Sequence, residues 1–208
     1  MKYHIMSYEF DIFLSYNRKF PHGEWVEDVF YPLFKPYLED ALNKDINIFK
    51  DTEEIKGGSA WKNKIKSALA HSKCMVAIWS PAYFRSEWCM KEYAVINYRQ
   101  NKLGYLTNEN PSGLVIPVQL FDGIHYPQFA KDIQALDCRE YNRVGNGMKQ
   151  TTLYSDFQGL LQKWVTNIAG VIDGVPDWDS TWLEASWLDD PFDNQQNSDS
   201  CKMSRPKL

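Results

Sequence analysis

The sequence predicts an open, mainly parallel α/β sheet with helices on both faces. Three observations predict it. Short apolar runs of strand length alternate with longer amphipathic stretches. Their order reads β-α-β-α-β-α-β, then a fifth strand and a closing helix. The 208 residues, 44% of them hydrophobic and 24% charged, suffice for one core domain plus an appendage.

The run Phe10–Tyr16 (FDIFLSY) reads as the first strand, and Trp25–Leu42 as the first helix. Pro32 and Pro36 remove backbone donors inside that helix, so a kink or break is expected there. Ile46–Phe49 is a second short strand, followed by a polar loop from Lys50 to Gly58. Ser59 can cap a helix to about His71, with Ile65, Ala68 and Leu69 at helical spacing. Lys73–Ser80 (KCMVAIWS) is apolar enough for a buried strand, and Pro81 ends it. Ser86 can cap the helix Glu87–Gln100. Leu114–Phe121 and Ala135–Tyr141 supply two more strands, and a last helix runs from about Tyr154 to Ile172. The core domain is therefore expected over 8–172. The extension 173–208 is acidic: between 173 and 200 there are eight carboxylates and no Lys or Arg. It also carries Trp178, Trp182 and Trp187, spaced so that a short helix could present them to the domain. Its polar end is expected to be disordered.

Charge and composition exclude several function classes. A net charge of -4 without a Lys/Arg block argues against nucleic-acid binding. No apolar run is long enough to cross a bilayer, and Met1–Glu9 lacks a signal-peptide core, so no membrane association and a cytoplasmic setting are expected. Cys74, Cys89, Cys138 and Cys201 have no metal-ligand or redox-motif spacing, and His4, His22, His71 and His125 form no zinc motif. Gly57-Gly58 lacks the context of a dinucleotide or phosphate loop, and no G-x-S-x-G elbow marks a serine hydrolase. The loop after the first strand, Asn17-Arg18-Lys19-Phe20, has none of the hydroxyl residues that a flavin phosphate would need.

In such a sheet, ligands bind beyond the carboxyl ends of the strands. Three segments reach that rim: Tyr16–Lys19, Asp51–Trp61 and Ser80–Glu92. The third holds two glutamates of different character. Glu87 has Lys91 four residues on, which makes a solvated ion pair the plain reading. Glu92 instead has Trp88 and Cys89 before it and Val95 and Ile96 after it. A carboxylate on an apolar stripe is uncommon unless something uses it.

Three boxes in register, FDIFLSY, then Phe49-x-Asp51-x-x-x-Ile55-x-x-Gly58-x-x-Trp61, then Ser86-x-Trp88-Cys89-x-x-Glu92, resemble those of a Toll/interleukin-1 receptor (TIR) domain. The resemblance covers about 8–172 and implies a flavodoxin-like sheet of five parallel strands. It is nearest to stand-alone bacterial members that cleave NAD⁺ in anti-phage defence. It implies Glu92 as the catalytic residue and Trp61 as an aromatic against the nicotinamide. Trp88, Tyr16, Arg18, Asp51, Gly58 and Ser86 are the other candidate substrate-binding residues. Arg18 and Lys19 suit phosphates, whereas Asp51 by itself reads as a brace for its own loop. NAD⁺ is then substrate, no separate cofactor or metal is implied, and self-association is expected. The product, ADP-ribose or a cyclic or conjugated form, would signal to a separate effector. The alternative is a scaffold that works only through TIR–TIR contacts.

Overall fold

The computed structural model describes residues 7–50, 59–108, 110 and 112–183. The elements run β1 (Phe10–Tyr16), α1 (His22–Trp25), a π-helical turn Val26–Phe30, α2 (Tyr31–Leu42), β2 (Ile48–Lys50) and α3 (Ser59–Ala70). They continue with β3 (Ser72–Trp79), α4 (Pro81–Phe84), α5 (Glu87–Lys102), β4 (Val115–Gln119) and α6 (Gln128–Lys131). Last come β5 (Leu136–Asp137), α7 (Asn146–Lys149) and α8 (Thr152–Asp173). The strands form one sheet in the order β2-β1-β3-β4-β5, and every neighbouring pair is parallel. This is the expected α/β class, with the doubly wound, flavodoxin-like order.

Parallel strands need crossovers, and the crossovers cover both faces. On one face α2 packs against α8; on the other α3 packs against α5. The α2–α8 side is aromatic: Phe30 stacks on Phe34 at 4.8 Å, Trp25 on Phe30 at 5.5 Å, and Trp164 of α8 closes on Phe34 at 5.8 Å. Burying each such ring contributes about 1.5–3 kcal/mol. Covered on both sides, β3 has no exposed residue, which is why it reads as a continuous apolar run.

The helix after β1 departs from expectation. Neither Pro32 nor Pro36 breaks it; helical backbone continues from His22 to Leu42. The helix widens first, and the Tyr31 N–H reaches back five residues to the Val26 carbonyl. A π turn just ahead of Pro32 absorbs the misfit around a residue that has no N–H to give. Asn43, left-handed at φ 50°, then closes α2.

β5 is shorter than the seven-residue run Ala135–Tyr141 suggested. It pairs only through Leu136 and Asp137. The Asp137 carboxylate accepts the Arg139 backbone N–H at 3.1 Å, an Asx turn that leads into a 3₁₀ turn over Arg139–Tyr141. Trp178 and Trp182, the two tryptophans after α8 among the described residues, do not share a regular helix. Trp178 stacks on His71 at 5.2 Å and its Nε1 donates to the Ala70 carbonyl at 3.0 Å. Trp182 sits buried in a single 3₁₀ turn, Ser180–Leu183. Trp187 lies outside the described residues.

Beneath Trp182 lies Arg99 of α5, 1% exposed. Its guanidinium donates to the carbonyls of Ser72, Lys73 and Leu69 at 2.6, 2.8 and 3.5 Å, joining α5 to the end of α3 and the start of β3. Its charge is held by these dipoles and by the rings of Tyr8 and Trp182, 5.8 and 5.9 Å away. Arg99→Met should therefore lower unfolding free energy by about 3 kcal/mol, because it strands buried carbonyls. Urea denaturation of the two proteins measures this; equal midpoints would contradict it.

Candidate active site

The carboxyl end of β1 and the loop after it, with the starts of α3 and α5, enclose a cleft of about 130 Å³. Its walls include Phe13, Tyr16, Asn17, Arg18, Lys19, Trp61, Ser86, Trp88, Cys89 and Glu92. Segments far apart in sequence therefore meet at one rim, as the parallel topology requires.

Each wall has a local cause. Ser86 caps α5, its Oγ accepting the Cys89 N–H at 3.4 Å. That cap starts the helix one turn before Glu92. Ser80 caps α4 in the same way, accepting the Tyr83 N–H at 3.1 Å. Between them Tyr83 is fully buried, its hydroxyl 3.3 Å from the Cys89 carbonyl. Asn17 joins the β1 and β3 loops, its Nδ2 donating to the Ala82 carbonyl at 3.0 Å while its Oδ1 accepts the Lys19 N–H. Gly23 leaves room for the same loop: a Cβ there would lie 2.2 Å from the Arg18 carbonyl oxygen.

Glu92 is half-buried at the base of this cleft. Its Oε2 accepts a 2.6 Å hydrogen bond from Ser15 Oγ on β1. Trp61 and Trp88 meet edge to face at 4.7 Å, so one indole plane stands roughly upright on the other. Trp61 is 8% exposed, both an anchor for α3 and part of the wall. The Nζ atoms of Lys62 and Lys91 lie 5.7 and 5.6 Å from the Trp88 ring centroid. Lys91 also pairs with Glu87 at 2.7 Å, and that pair holds the exposed Glu87 carboxyl below its ordinary range. Tyr16 lines the cleft, yet its hydroxyl is committed to Glu27 at 2.6 Å, and Glu27 in turn pairs with Lys50.

Cys89 is no nucleophile. Burial, and then the charge of Glu92, push its thiol up to about 12. It stays protonated at neutral pH. Among the described residues no cluster of His, Cys, Asp and Glu could hold a metal ion. Asp51 and Gly58 fall outside the described residues. The other predicted positions, Tyr16, Arg18, Trp61, Ser86, Trp88 and Glu92, all line the cleft. Ser15 and Tyr83 carry no marker in the sequence; only the fold brings them to Glu92.

An open five-stranded flavodoxin-like domain with a carboxylate and paired tryptophans at its switch-point rim defines the class. The TIR domain family model matches residues 12–151, two thirds of the sequence, and the chain belongs to that family. It is also similar to the TIR domain of the Toll-related receptor TRR-2 from Hydra magnipapillata, at 20% identity and TM-score 0.42, covering 73% of this chain and 98% of that one. A second similar structure is that of the TIR domains of the activated Roq1 resistosome, which directly recognises the pathogen effector XopQ. The identity there is 19% and the TM-score 0.39, covering 86% of this chain and 98% of that one.

His22 sits under the loop that carries Arg18, packed edge-on against Phe121 at 5.5 Å, its Nδ1 buried without a partner among the described residues. Burial, and then the nearby Arg85 charge, hold its pKa below the ordinary 6.5. The unfolded chain therefore takes up this proton more readily than the fold does. Stability is full above the unfolded value of about 6.5 and falls as pH drops below it. Between pH 7 and 5.5 the thermal midpoint should fall further in wild type than in His22→Phe. Parallel profiles would contradict this.

Proposed function

We propose that this TIR domain cleaves the nicotinamide–ribose bond of NAD⁺, with Glu92 as its catalytic carboxylate. The observation that carries the reading is a half-buried carboxylate facing a cleft walled by two perpendicular indoles. Breaking the bond leaves the electron pair with a neutral nicotinamide and puts positive charge on the ribose, as in glycoside hydrolysis. A carboxylate fixed beside C1′ stabilises that charge where it develops. The Trp61–Trp88 corner offers the departing ring an apolar wall, and Arg18 on the rim suits the pyrophosphate. The cleft is below the roughly 300–1,000 Å³ of a pocket for a whole ligand. It is sized for the nicotinamide end, with the remainder of the dinucleotide along the open rim.

After departure, water adds at C1′ and its proton passes through Glu92 to solvent, giving ADP-ribose. A ribose hydroxyl or a base nitrogen in place of water gives a cyclic or conjugated product. Tyr16 and Ser86 enter this reading as positioning residues, Tyr16 through Glu27 and Ser86 as the cap of α5. Asp51 and Gly58 belong to it through the resemblance alone. So does the biological setting, a cytoplasmic anti-phage enzyme whose product acts on a separate effector after TIR–TIR self-association.

The test is nicotinamide release from NAD⁺, followed by chromatography with mass detection. Glu92→Ala should lower the rate by about 10²–10³-fold. Equal release from both proteins would contradict the assignment. If wild type releases nothing at concentrations where it self-associates, and Glu92→Ala associates equally well, a scaffold acting by contact alone is the better reading.

A further inference from the structure

Ser15 is 1% exposed near the carboxyl end of β1, within the buried run Ile12–Tyr16. A buried hydroxyl there is costly unless both of its hydrogen-bonding roles are met. They are met by residues 77 and 68 positions away: Glu92 at 2.6 Å and Tyr83 at 3.1 Å. The directions follow from the inventory of protons. An ionised carboxylate only accepts, so the single Ser15 proton goes to Glu92 Oε2. The Ser15 oxygen is then left to accept from the Tyr83 hydroxyl, which also lies 3.3 Å from the Cys89 carbonyl.

We propose that Ser15 is a positioning residue for Glu92, with Tyr83 behind it, so that a hydroxyl fixed on β1 selects the rotamer in which the carboxylate faces the cleft. The role in catalysis rests on the NAD⁺-cleaving reading above; the hold on the carboxylate does not. A glutamate on a helix has three side-chain torsions to order, and Ser15 stands on a strand paired on both sides, by β2 and β3. The bond is charge-assisted and short, in the strong range for a hydroxyl on a carboxylate. The chain also tolerates a proton on Glu92: Ser15 then accepts from Glu92 and donates to Tyr83, whose own proton turns to the Cys89 carbonyl. Both protonation states keep the carboxyl in one place, which suits a group that must pass on a proton after water adds.

The experiment compares wild type, Ser15→Ala and Tyr83→Phe, with Glu92→Gln to assign the carboxyl resonance. The Glu92 carboxyl is titrated by ¹³C NMR in each folded protein, and kcat and KM for nicotinamide release are measured across pH. Loss of a donor to the charged form should raise the Glu92 midpoint in Ser15→Ala by about one pH unit. The acidic limb of kcat should move with it. At its plateau, kcat should fall about ten- to a hundredfold while KM changes little. Tyr83→Phe should shift the midpoint the same way by less, and it keeps the test alive should Ser15→Ala not fold. A merely structural serine would lower the melting temperature and leave the titration in place. A Glu92 midpoint unchanged in both variants would overturn the proposal. If wild type releases no nicotinamide, the NAD⁺ reading fails by itself, and the titration still decides whether Ser15 holds the carboxylate.

Discussion

A single hydrogen bond between a strand and a helix sets the geometry of this domain's rim. Ser15, at the inner end of β1, holds Glu92 on the second turn of α5 at 2.6 Å. Nearly every other feature of the cleft serves that meeting. The Ser86 cap fixes where α5 begins, Tyr83 links Ser15 to the Cys89 carbonyl of α5, and Asn17 joins the two loops above. Because β1 and β3 are parallel neighbours, their carboxyl ends open at the same edge, and the loops that follow them cannot avoid each other.

The opposite edge of the sheet carries the complementary constraint. Arg99 gathers the end of α3 and the start of β3 onto α5, and Trp178 and Trp182 close over that junction. The helices that present Trp61 and Glu92 are thus pinned at the ends away from the cleft. Rigidity there bears on the role proposed for Glu92, because a reacting group must be held to within about half an ångström. The burial of Arg99 without a carboxylate partner among the described residues is reasonable in these terms: carbonyl dipoles at a strand start hold its charge without adding a second one.

Much of this was legible in the sequence because the signals were local. Phe10–Tyr16 and the apolar run through β3 announce strands, and Ser86 announces a helix start. The parallel order then brings the rim segments together. What escaped depended on context. Pro32 signals a break, but one wide turn upstream absorbs it, and nothing in the residue types marks a π turn. β5 ends early because the Asp137 side chain captures a backbone N–H, although Cys138 remains fully buried as the apolar pattern suggests. Tyr16 looks available to a ligand until Glu27, eleven residues on, takes its hydroxyl. Ser15 is an unremarkable serine until Tyr83 and Glu92 arrive from distant parts of the chain.

Whether the Glu92 cleft receives the nicotinamide end of NAD⁺ can be read by titrating ¹⁵N-labelled protein with carba-NAD⁺, a non-cleavable analogue in which the ribose ring oxygen is a methylene. Binding there should give saturable shifts of the Trp61 and Trp88 indole N–H signals and of the Arg18 and Glu92 amides, with Trp164 unmoved. No shift at millimolar analogue, or shifts gathered around Trp164 of α8, would contradict it.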